Sequence, residues 1–361
     1  MKPYNNTNLP LEFKYDMTLM KHLVEANQLF AKYTTMIEYS NIDNSLLLRP
    51  LLFQEAFKSL ELSGARISQS QLYYIKYNID TRHKTELFNY FHVLKNIESY
   101  LSKTFKLSVG YLNMMHKDIF KHDDFTYKNV GQYRQKVTWI GPRGKRVYDA
   151  EYVPTHPFDI PIAMSNFIKH FNKGTSIDSL IDVALSHAQF ENIHPYLDGN
   201  GRLGRLLLPI QTYTSTHTPM SLFLSEAIKN NEYSYLQSLK SLRLGDVSTY
   251  IKFFLTLVIE QLKLNISRLD DAIKVYNIDQ VKFIECSNLK NGEKVFDYFF
   301  SNITSTIKEA SETLDISYQT MRHYINKLHD QGLLERHKLY RGEYVYTYIK
   351  LYNIYVPVDW L

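Results

Sequence analysis

The chain has 361 residues and a single cysteine, Cys286, which excludes an internal disulfide framework and any zinc or iron–sulfur site built from several thiolates. Long apolar runs are missing too. The most apolar short stretch, 253–259, is far below spanning length, so no segment is expected to cross a membrane. The opening Met1-Lys2-Pro3-Tyr4-Asn5-Asn6 lacks the apolar run of a signal peptide, and a reduced, cytoplasmic setting is the expectation. Charge of one sign is not in large excess: 42 basic against 37 acidic residues leave +5, spread along the chain, which is weak evidence for a polyanion partner. Neither an internal repeat nor a low-complexity tract occurs. What remains is globular in composition, with 44% apolar and 22% charged residues, and long enough for two or three domains. Tyrosine, at 29, and phenylalanine, at 20, are abundant, which suits large cores and exposed recognition surfaces alike.

Residues up to about 127 read as helical. In 17–39, Leu19, Met20, Leu23, Leu29, Phe30, Tyr33, Met36 and Ile37 recur at three- and four-residue spacings. Further helices are expected over 51–62, broken at Gly64, and over 84–105 and 108–120, in a stretch without proline from Pro50 to Pro142. The pattern then changes. Gly131 to Ile140, the turn Gly141-Pro142-Arg143-Gly144-Lys145 and the following Arg146-Val147-Tyr148 predict a β-hairpin. Helical spacing resumes over 160–171, 177–193, 203–212 and 235–264, before a polar stretch at 277–294.

One segment carries chemistry: Phe190-Glu191-Asn192-Ile193-His194-Pro195-Tyr196-Leu197-Asp198-Gly199-Asn200-Gly201-Arg202-Leu203-Gly204-Arg205. It reads as a helix ending at Ile193, a polar loop, and a helix starting near Arg202. The Gly199-Asn200-Gly201 core frees the backbone to turn its N–H groups inward as an anion nest at a helix mouth. Arg202 and Arg205 share a face of that helix, and guanidinium forks suit phosphate oxygens. Asp198 is a hard oxygen ligand placed for a Mg²⁺ shared with phosphates, and His194 can take a proton from a hydroxyl nucleophile. A helix cap and a plain turn account for any one of these residues but not for the set. The set is that of a nucleotidyl or phosphoryl transfer site.

The segment resembles the Fic family motif, His-Pro-Phe-x-(Asp/Glu)-Gly-Asn-Gly-Arg-x-x-Arg, with Tyr196 in place of Phe. Leu9-Pro10, Pro50-Leu51, Glu55-Ala56, Gly64-Ala65-Arg66-Ile67, Asn89-Tyr90, Gly131-Gln132-Tyr133-Arg134, Val137, Trp139-Ile140-Gly141, Tyr152-Val153-Pro154 and His187-Ala188-Gln189-Phe190 are similar to blocks of bacterial Fic proteins with a helical N-terminal extension. The likeness covers about 9–265. It implies a transferase moving AMP from ATP to a Tyr, Thr or Ser hydroxyl of a protein, this chain itself included, with ATP and Mg²⁺ as the small molecules required. On that resemblance His194 is the base, Asp198 holds Mg²⁺, Gly199, Asn200 and Gly201 hold the α-phosphate, Arg202 the β-phosphate and Arg205 the γ-phosphate, with Leu203 and Gly204 in the same binding stretch. Tyr235 is matched to a tyrosine near the adenine or ribose, and His187 reads as a packed core histidine. The hairpin corresponds to the family's flap, whose residues Val137, Thr138, Trp139 and Ile140 dock the target as an added strand.

Relatives also carry an inhibitory helix reading (Ser/Thr)-x-x-x-Glu-(Gly/Asn), whose glutamate pairs with the second motif arginine. Ser59-Leu60-Glu61-Leu62-Ser63-Gly64 fills that slot, and Ser63 occupies the glutamate position. Glu61 lies two residues earlier, about 200° round a helix, and cannot simply substitute. The resemblance therefore puts autoinhibition in doubt here, and with it AMP removal, which uses that glutamate in some relatives.

The last region has its own pattern. Ser305 to Ala310 reads as a capped helix start, 318–331 as a helix with Met321, Ile325 and Leu328 inward, and Tyr340-Arg341-Gly342 as the turn of a wing. This resembles a winged helix-turn-helix that exposes Gln319, Thr320, Arg322, His323 and Asn326, types able to meet base edges. Acidic residues slightly outnumber basic ones over 295–361, although Arg322, Lys327, Arg336, Lys338 and Arg341 cluster, so DNA binding and a protein-contacting role both stay open. The expected fold is mainly α: a helical N-terminal region over 1–110 with a degenerate inhibitory helix at about 51–64, a Fic-type helical core with a β-hairpin flap over 111–265, a linker or helix over 266–294, and a small winged helix-turn-helix over 295–361. The leading function is a protein adenylyltransferase. The alternatives are a nucleotide-sensing transcriptional or toxin–antitoxin regulator and a Fic enzyme transferring phosphate, UMP or phosphocholine. Whether the chain pairs as a homodimer is left open by the sequence.

Overall fold

The structure, a computed structural model, describes residues 2–6, 8–77, 81–101, 104–121, 129–141, 150–174, 176–286, 289–339 and 342–356. It is mainly helical, and the chain forms two compact units, each discontinuous in sequence. The first takes Met1–Thr34, Glu55–Ala65 and Thr85–Lys263, and the second takes Thr35–Gln54, Arg66–Lys84 and Leu264–Leu361.

In chain order the first helices are α1 (Met17–Glu38), α2 (Asn44–Leu62), α3 (Thr81–Tyr100) and α4 (Val109–Ile119). They are followed by α5 (Ile160–Lys173), α6 (Ser179–Ile193), α7 (Asn200–Thr216), α8 (Ser225–Asn230), α9 (Glu232–Arg243) and α10 (Val247–Cys286). The helix expected over 51–62 begins earlier, because the Asp43 carboxylate accepts the Ser45 N–H at 2.7 Å and starts the turn; Pro50 sits inside it and forfeits one helical hydrogen bond. The single helix expected over 235–264 is instead α9 and α10. Gly245, at φ 99°, ends the first, and Asp246 opens the second by accepting the Thr249 N–H at 3.1 Å.

The first unit is organised round α6, which packs against α5 on one side and α7 on another. All of α6 except Ser179 and Glu191 is buried, its polar Asp182, Ser186, His187, Gln189 and Asn192 included. Asp178 caps its start by accepting the Leu180 N–H at 2.8 Å. Its end is His194, held in the left-handed region at φ 49°, ψ 63°.

The second unit holds α11 (Leu289–Asn302), β1 (Thr304–Thr306), α12 (Ile307–Leu314), α13 (Tyr318–Asp330), β2 (Glu335–Lys338), β3 (Tyr344–Thr347) and α14 (Ile349–Tyr355). Its antiparallel sheet has the order β1-β3-β2, with Ser305 and Arg336 both opposite Tyr346. The polar stretch 277–294 is helical on either side of 287–288; Phe283, buried in it, meets the rings of Phe296 and Tyr348 edge-on at 5.0 and 5.4 Å, while Ile278 and Val281 stay exposed. The capped start at Thr306 forms a full capping box with Glu309. The Glu309 carboxylate also accepts from Lys76 at 3.1 Å and Tyr77 at 2.6 Å, which ties segment 66–84 into this unit. Tyr340 and Arg341 of the wing turn lie outside the described residues.

Candidate active site

The loop between α6 and α7 is held by its own side chains. Asn200 accepts the Tyr196 N–H and donates back to the Tyr196 carbonyl, both at 2.8 Å, which closes the turn before the helix starts. The Tyr196 ring, fully buried, stacks on His116 with centroids 4.0 Å apart and an interplanar angle of 15°, and its hydroxyl donates to Asn113 at 2.8 Å. His116 accepts the Gly131 N–H at Nδ1, which leaves Nε2 to donate to the Asp198 carbonyl, each at 2.9 Å. A ring used as acceptor on one side and donor on the other is neutral, and burial moves its pKa in the same direction, downward. Gly199 is required on two counts. Its φ is 76°, and a Cβ there would stand 2.6 Å from the Phe120 ring.

His194 follows α6 directly. Burial, and then the nearby positive charge of Arg134, push its pKa down to about 4 while the Glu191 backbone and then Asp198 oppose, so the imidazole is neutral at pH 7 and can accept a proton. Its Nδ1 is buried and has no hydrogen-bond partner among the described residues. Asp198 is exposed, with Oδ1 accepting the Gly199 N–H at 2.6 Å. Arg202 lays its guanidinium over the Phe120 ring at 4.5 Å, and its Nη1 is buried without a partner among the described residues. Buried and orphaned, such a donor is a natural contact for an anion.

Arg205 is engaged differently. Its Nε donates to the Ser59 hydroxyl at 3.0 Å and its Nη2 to the Ser59 carbonyl at 2.9 Å. Gly201 leaves the room for this, since a Cβ would sit 2.9 Å from Arg205 Nη1. Ser63, one turn on, donates its hydroxyl to the same Ser59 carbonyl at 3.1 Å and does not itself bond Arg205. Glu61 pairs with Lys58 at 2.9 Å. Two carboxyls feel the Arg205 charge: burial lifts both Glu55 and Glu191 to about 7, and Arg205 pulls them back. Glu55 accepts from Ser225, at its N–H (3.0 Å) and its hydroxyl.

Of the residues singled out in the sequence, His194, Asp198, Gly199, Asn200, Gly201, Arg202 and Arg205 come together in this loop and the first turns of α7. Tyr235 is buried and its hydroxyl meets His187 Nε2 at 2.8 Å, while His187 Nδ1 faces the Gly204 carbonyl at 3.3 Å; His187 is thus the core histidine expected, its pKa pushed down to about 3 by burial. Leu203 is fully buried, and Gly204 faces α6, where a Cβ would lie 2.5 Å from Glu191 Oε1. In the expected flap, Val137, Trp139 and Ile140 are exposed and Thr138 has a buried hydroxyl without a partner among the described residues. Ile140 pairs with Tyr152 in an antiparallel bridge, N–H to carbonyl at 2.8 Å; the turn and return strand of the hairpin, 142–149, lie outside the described residues. The sequence did not single out His116, Arg134 or Glu191 as site residues. Arg134 sits in the Gly131–Arg134 block and Glu191 in the segment 190–205, which were signals; His116 leaves none, because its role exists only once α4 meets the loop before α7.

Helices α6 and α7 form a buried hairpin whose connection carries Gly199, Asn200 and Gly201 between a neutral histidine and two arginines. Residues 106–211 match the Fic/DOC family, and residues 295–338 match a DeoR-like helix-turn-helix domain, so the chain carries a Fic/DOC family domain followed by a helix-turn-helix domain. It is similar to the protein adenylyltransferase Fic of Drosophila ananassae, 24% identical over 162 residues covering 44% of this chain and 29% of that protein. The corresponding protein of Drosophila yakuba is 26% identical over 156 residues, covering 41% of this chain and 30% of its own. The chain thus spans less than a third of the length of these curated relatives. In fold it resembles a Fic family protein from Desulfovibrio desulfuricans, with a TM-score of 0.62 and 17% identity over 96% of this chain and 98% of the other. A Fic domain containing signaling protein from Bacteroides thetaiotaomicron gives a TM-score of 0.54 at 18% identity, over 68% of this chain and 98% of that one. No helix among the described residues is long and apolar enough to cross a membrane.

Proposed function

We propose that this protein is a Fic-type adenylyltransferase that moves AMP from ATP to a hydroxyl of a protein, itself included. The observation that carries the reading is a neutral His194 at the end of α6, one loop away from the N-terminus of α7 and the orphaned guanidinium donor of Arg202. His194 takes the proton from a target hydroxyl, and the hydroxyl oxygen attacks the α-phosphorus as the bond to pyrophosphate breaks. The α7 N-terminus and Arg202 stabilise the charge that develops on the phosphate oxygens. Arg205 reaches the terminal phosphate only by leaving Ser59.

The donor set fits a Mg²⁺ held jointly with phosphates. Among the described residues no group of three or more His, Cys, Asp or Glu side chains converges, and Asp198 offers one exposed carboxylate beside the anion loop, the usual protein share for a magnesium–nucleotide site. Bound there, the ion would neutralise phosphate charge. Exposed Val137, Trp139 and Ile140 form the edge on which an extended target segment can pair.

Incubation with α-labelled ATP and Mg²⁺ tests the reading. His194→Ala should abolish transfer and leave ATP binding nearly intact; equal loss of both would remove His194 from the role of base. A second activity is supported by the helix-turn-helix match: Gln319, Arg322, His323 and Asn326 are exposed along α13, with Thr320 half-buried at its capped start, so DNA is proposed as a further partner. Duplex affinity should then fall steeply with salt, and a flat salt dependence would argue against phosphate contacts.

A further inference from the structure

We propose that Arg134 is the positioning residue of this site, fixing the backbone of His194 so that its ring is presented to the target hydroxyl. The inference rests on the adenylyltransferase reading for what the ring does, and on geometry alone for what Arg134 does.

Arg134 is 1% exposed and is the largest fully buried side chain among the described residues. Its Nε donates to the His194 carbonyl at 2.8 Å and its Nη2 to the Ile193 carbonyl at 3.3 Å. Nη1 donates to the Lys136 carbonyl at 3.0 Å, and Nη2 also meets the Thr155 carbonyl. The Arg134 backbone N–H completes the clamp on the Pro195 carbonyl at 2.9 Å. Three successive carbonyls, 193 to 195, are thus held by one residue. They are the last acceptors of α6 and the first of the loop, where the helix leaves its carbonyls unsatisfied and its dipole is negative.

That placement answers a specific difficulty. His194 is a non-glycine residue in the left-handed region, a conformation that side chains with a Cβ adopt only when their surroundings impose it. Fixing the carbonyls of 193, 194 and 195 fixes the peptide planes on both sides of the His194 Cα, and hence the direction of its Cα–Cβ bond. No carboxylate pairs with Arg134 among the described residues; all five of its bonds go to backbone carbonyls. A charge buried without a counter-ion is expensive, so it is a poor device for stability alone, whereas a planar fork that spans carbonyls from several segments is a good device for geometry.

Lysine keeps the charge and loses the fork, so Arg134→Lys separates the two. It should lower kcat for AMP transfer about a hundredfold, the order expected when a reacting group is misplaced by about an ångström, and leave the Kd for ATP within about twofold. The His194 imidazole resonances should also move in a heteronuclear NMR spectrum of the full chain. Wild-type kcat in Arg134→Lys overturns the proposal, and so does a parallel loss of turnover and ATP binding, which marks a general loss of structure. Arg134→Gln, shorter and neutral but still a donor, serves if the lysine variant does not fold; failure of both to fold also overturns it, because positioning must be separable from folding. A wild-type protein that transfers no AMP refutes the functional reading instead. The His194 resonances then decide the inference by themselves: displaced in the variants, it stands; unmoved, it falls.

Discussion

Arg205 provides the sharpest test of whether this site is restrained. In the structure Ser59 binds it through a hydroxyl and a carbonyl, at 3.0 and 2.9 Å, and the Ser63 hydroxyl reaches no further than the Ser59 carbonyl at 3.1 Å. Ser63 is the first residue past α2, and its hydroxyl reaches back one turn to the Ser59 carbonyl. A glutamate at 63 therefore projects its carboxylate toward the guanidinium that Ser59 now holds. A charged, forked carboxylate–guanidinium pair exceeds the present serine contact by about 1.5 kcal/mol, which is about tenfold in the competition for Arg205 between this helix and a terminal phosphate. Ser63→Glu should accordingly lower AMP transfer by about tenfold or more, measured as label incorporated from α-labelled ATP near pH 7.5. Ser63→Gln, equal in length and uncharged, should stay within about threefold of wild type if charge is what counts. The wild-type protein should modify itself without an activating partner. Glu61→Ala should change little, because Glu61 is committed to Lys58 at 2.9 Å. Unchanged transfer in Ser63→Glu would refute the reasoning, and strong activation by Glu61→Ala would show that Glu61 is the restraining carboxylate.

Three further outcomes follow from named contacts. Glu191 holds its proton more tightly folded than unfolded, at about 7 against 4.5, so its contribution is fully present below 4.5 and is lost as pH rises through 7. Glu191→Gln should be relieved of that loss: its stability relative to wild type, from denaturant melts, should grow by on the order of 3 kcal/mol between pH 4.5 and pH 8, and a constant difference would contradict the burial argument. Gly199→Ala places a Cβ at φ 76° and 2.6 Å from Phe120; left-handed strain of about 1–2 kcal/mol and overpacking of about 1–3 kcal/mol should both appear as lost stability, together with weakened ATP binding. Cutting the chain near Lys274 should expose 66–84 to proteolysis, because Tyr74 bonds Thr347 at 2.8 Å and the Tyr73 carbonyl accepts from Thr304 at 2.8 Å; equal protection in the truncated and full chains would refute this.

The site was legible in the sequence where its residues are neighbours. The run from His194 to Arg205 carries a histidine, a carboxylate, two glycines flanking an asparagine and two arginines at fixed offsets, and a local turn between two helices needs little else to bring them together. The capped start at Thr306 and Glu309 and the exposed row along α13 were legible for the same reason: each follows from periodicity or from a short-range hydrogen bond. Sequence spacing misjudged the start of α2 and the break at Gly245, where a single capping carboxylate or one left-handed glycine outweighs an apolar pattern.

Tertiary structure decided what lies far apart along the chain. Tyr235 fits a nucleotide-contacting residue by position alone, yet its hydroxyl is taken by His187. Arg205 could have been free for phosphate, but Ser59 holds it from 146 residues away. His116 orients Asp198 from 82 residues away, and Arg134 clamps the His194 carbonyl from 60. The units themselves follow the same rule, since 35–54 and 66–84 belong with 264–361 rather than with their sequence neighbours. Local order along the chain fixes which groups share a turn. Only packing fixes which buried donor meets which carbonyl, because that choice is made by the cost of leaving either one unpaired once water is gone.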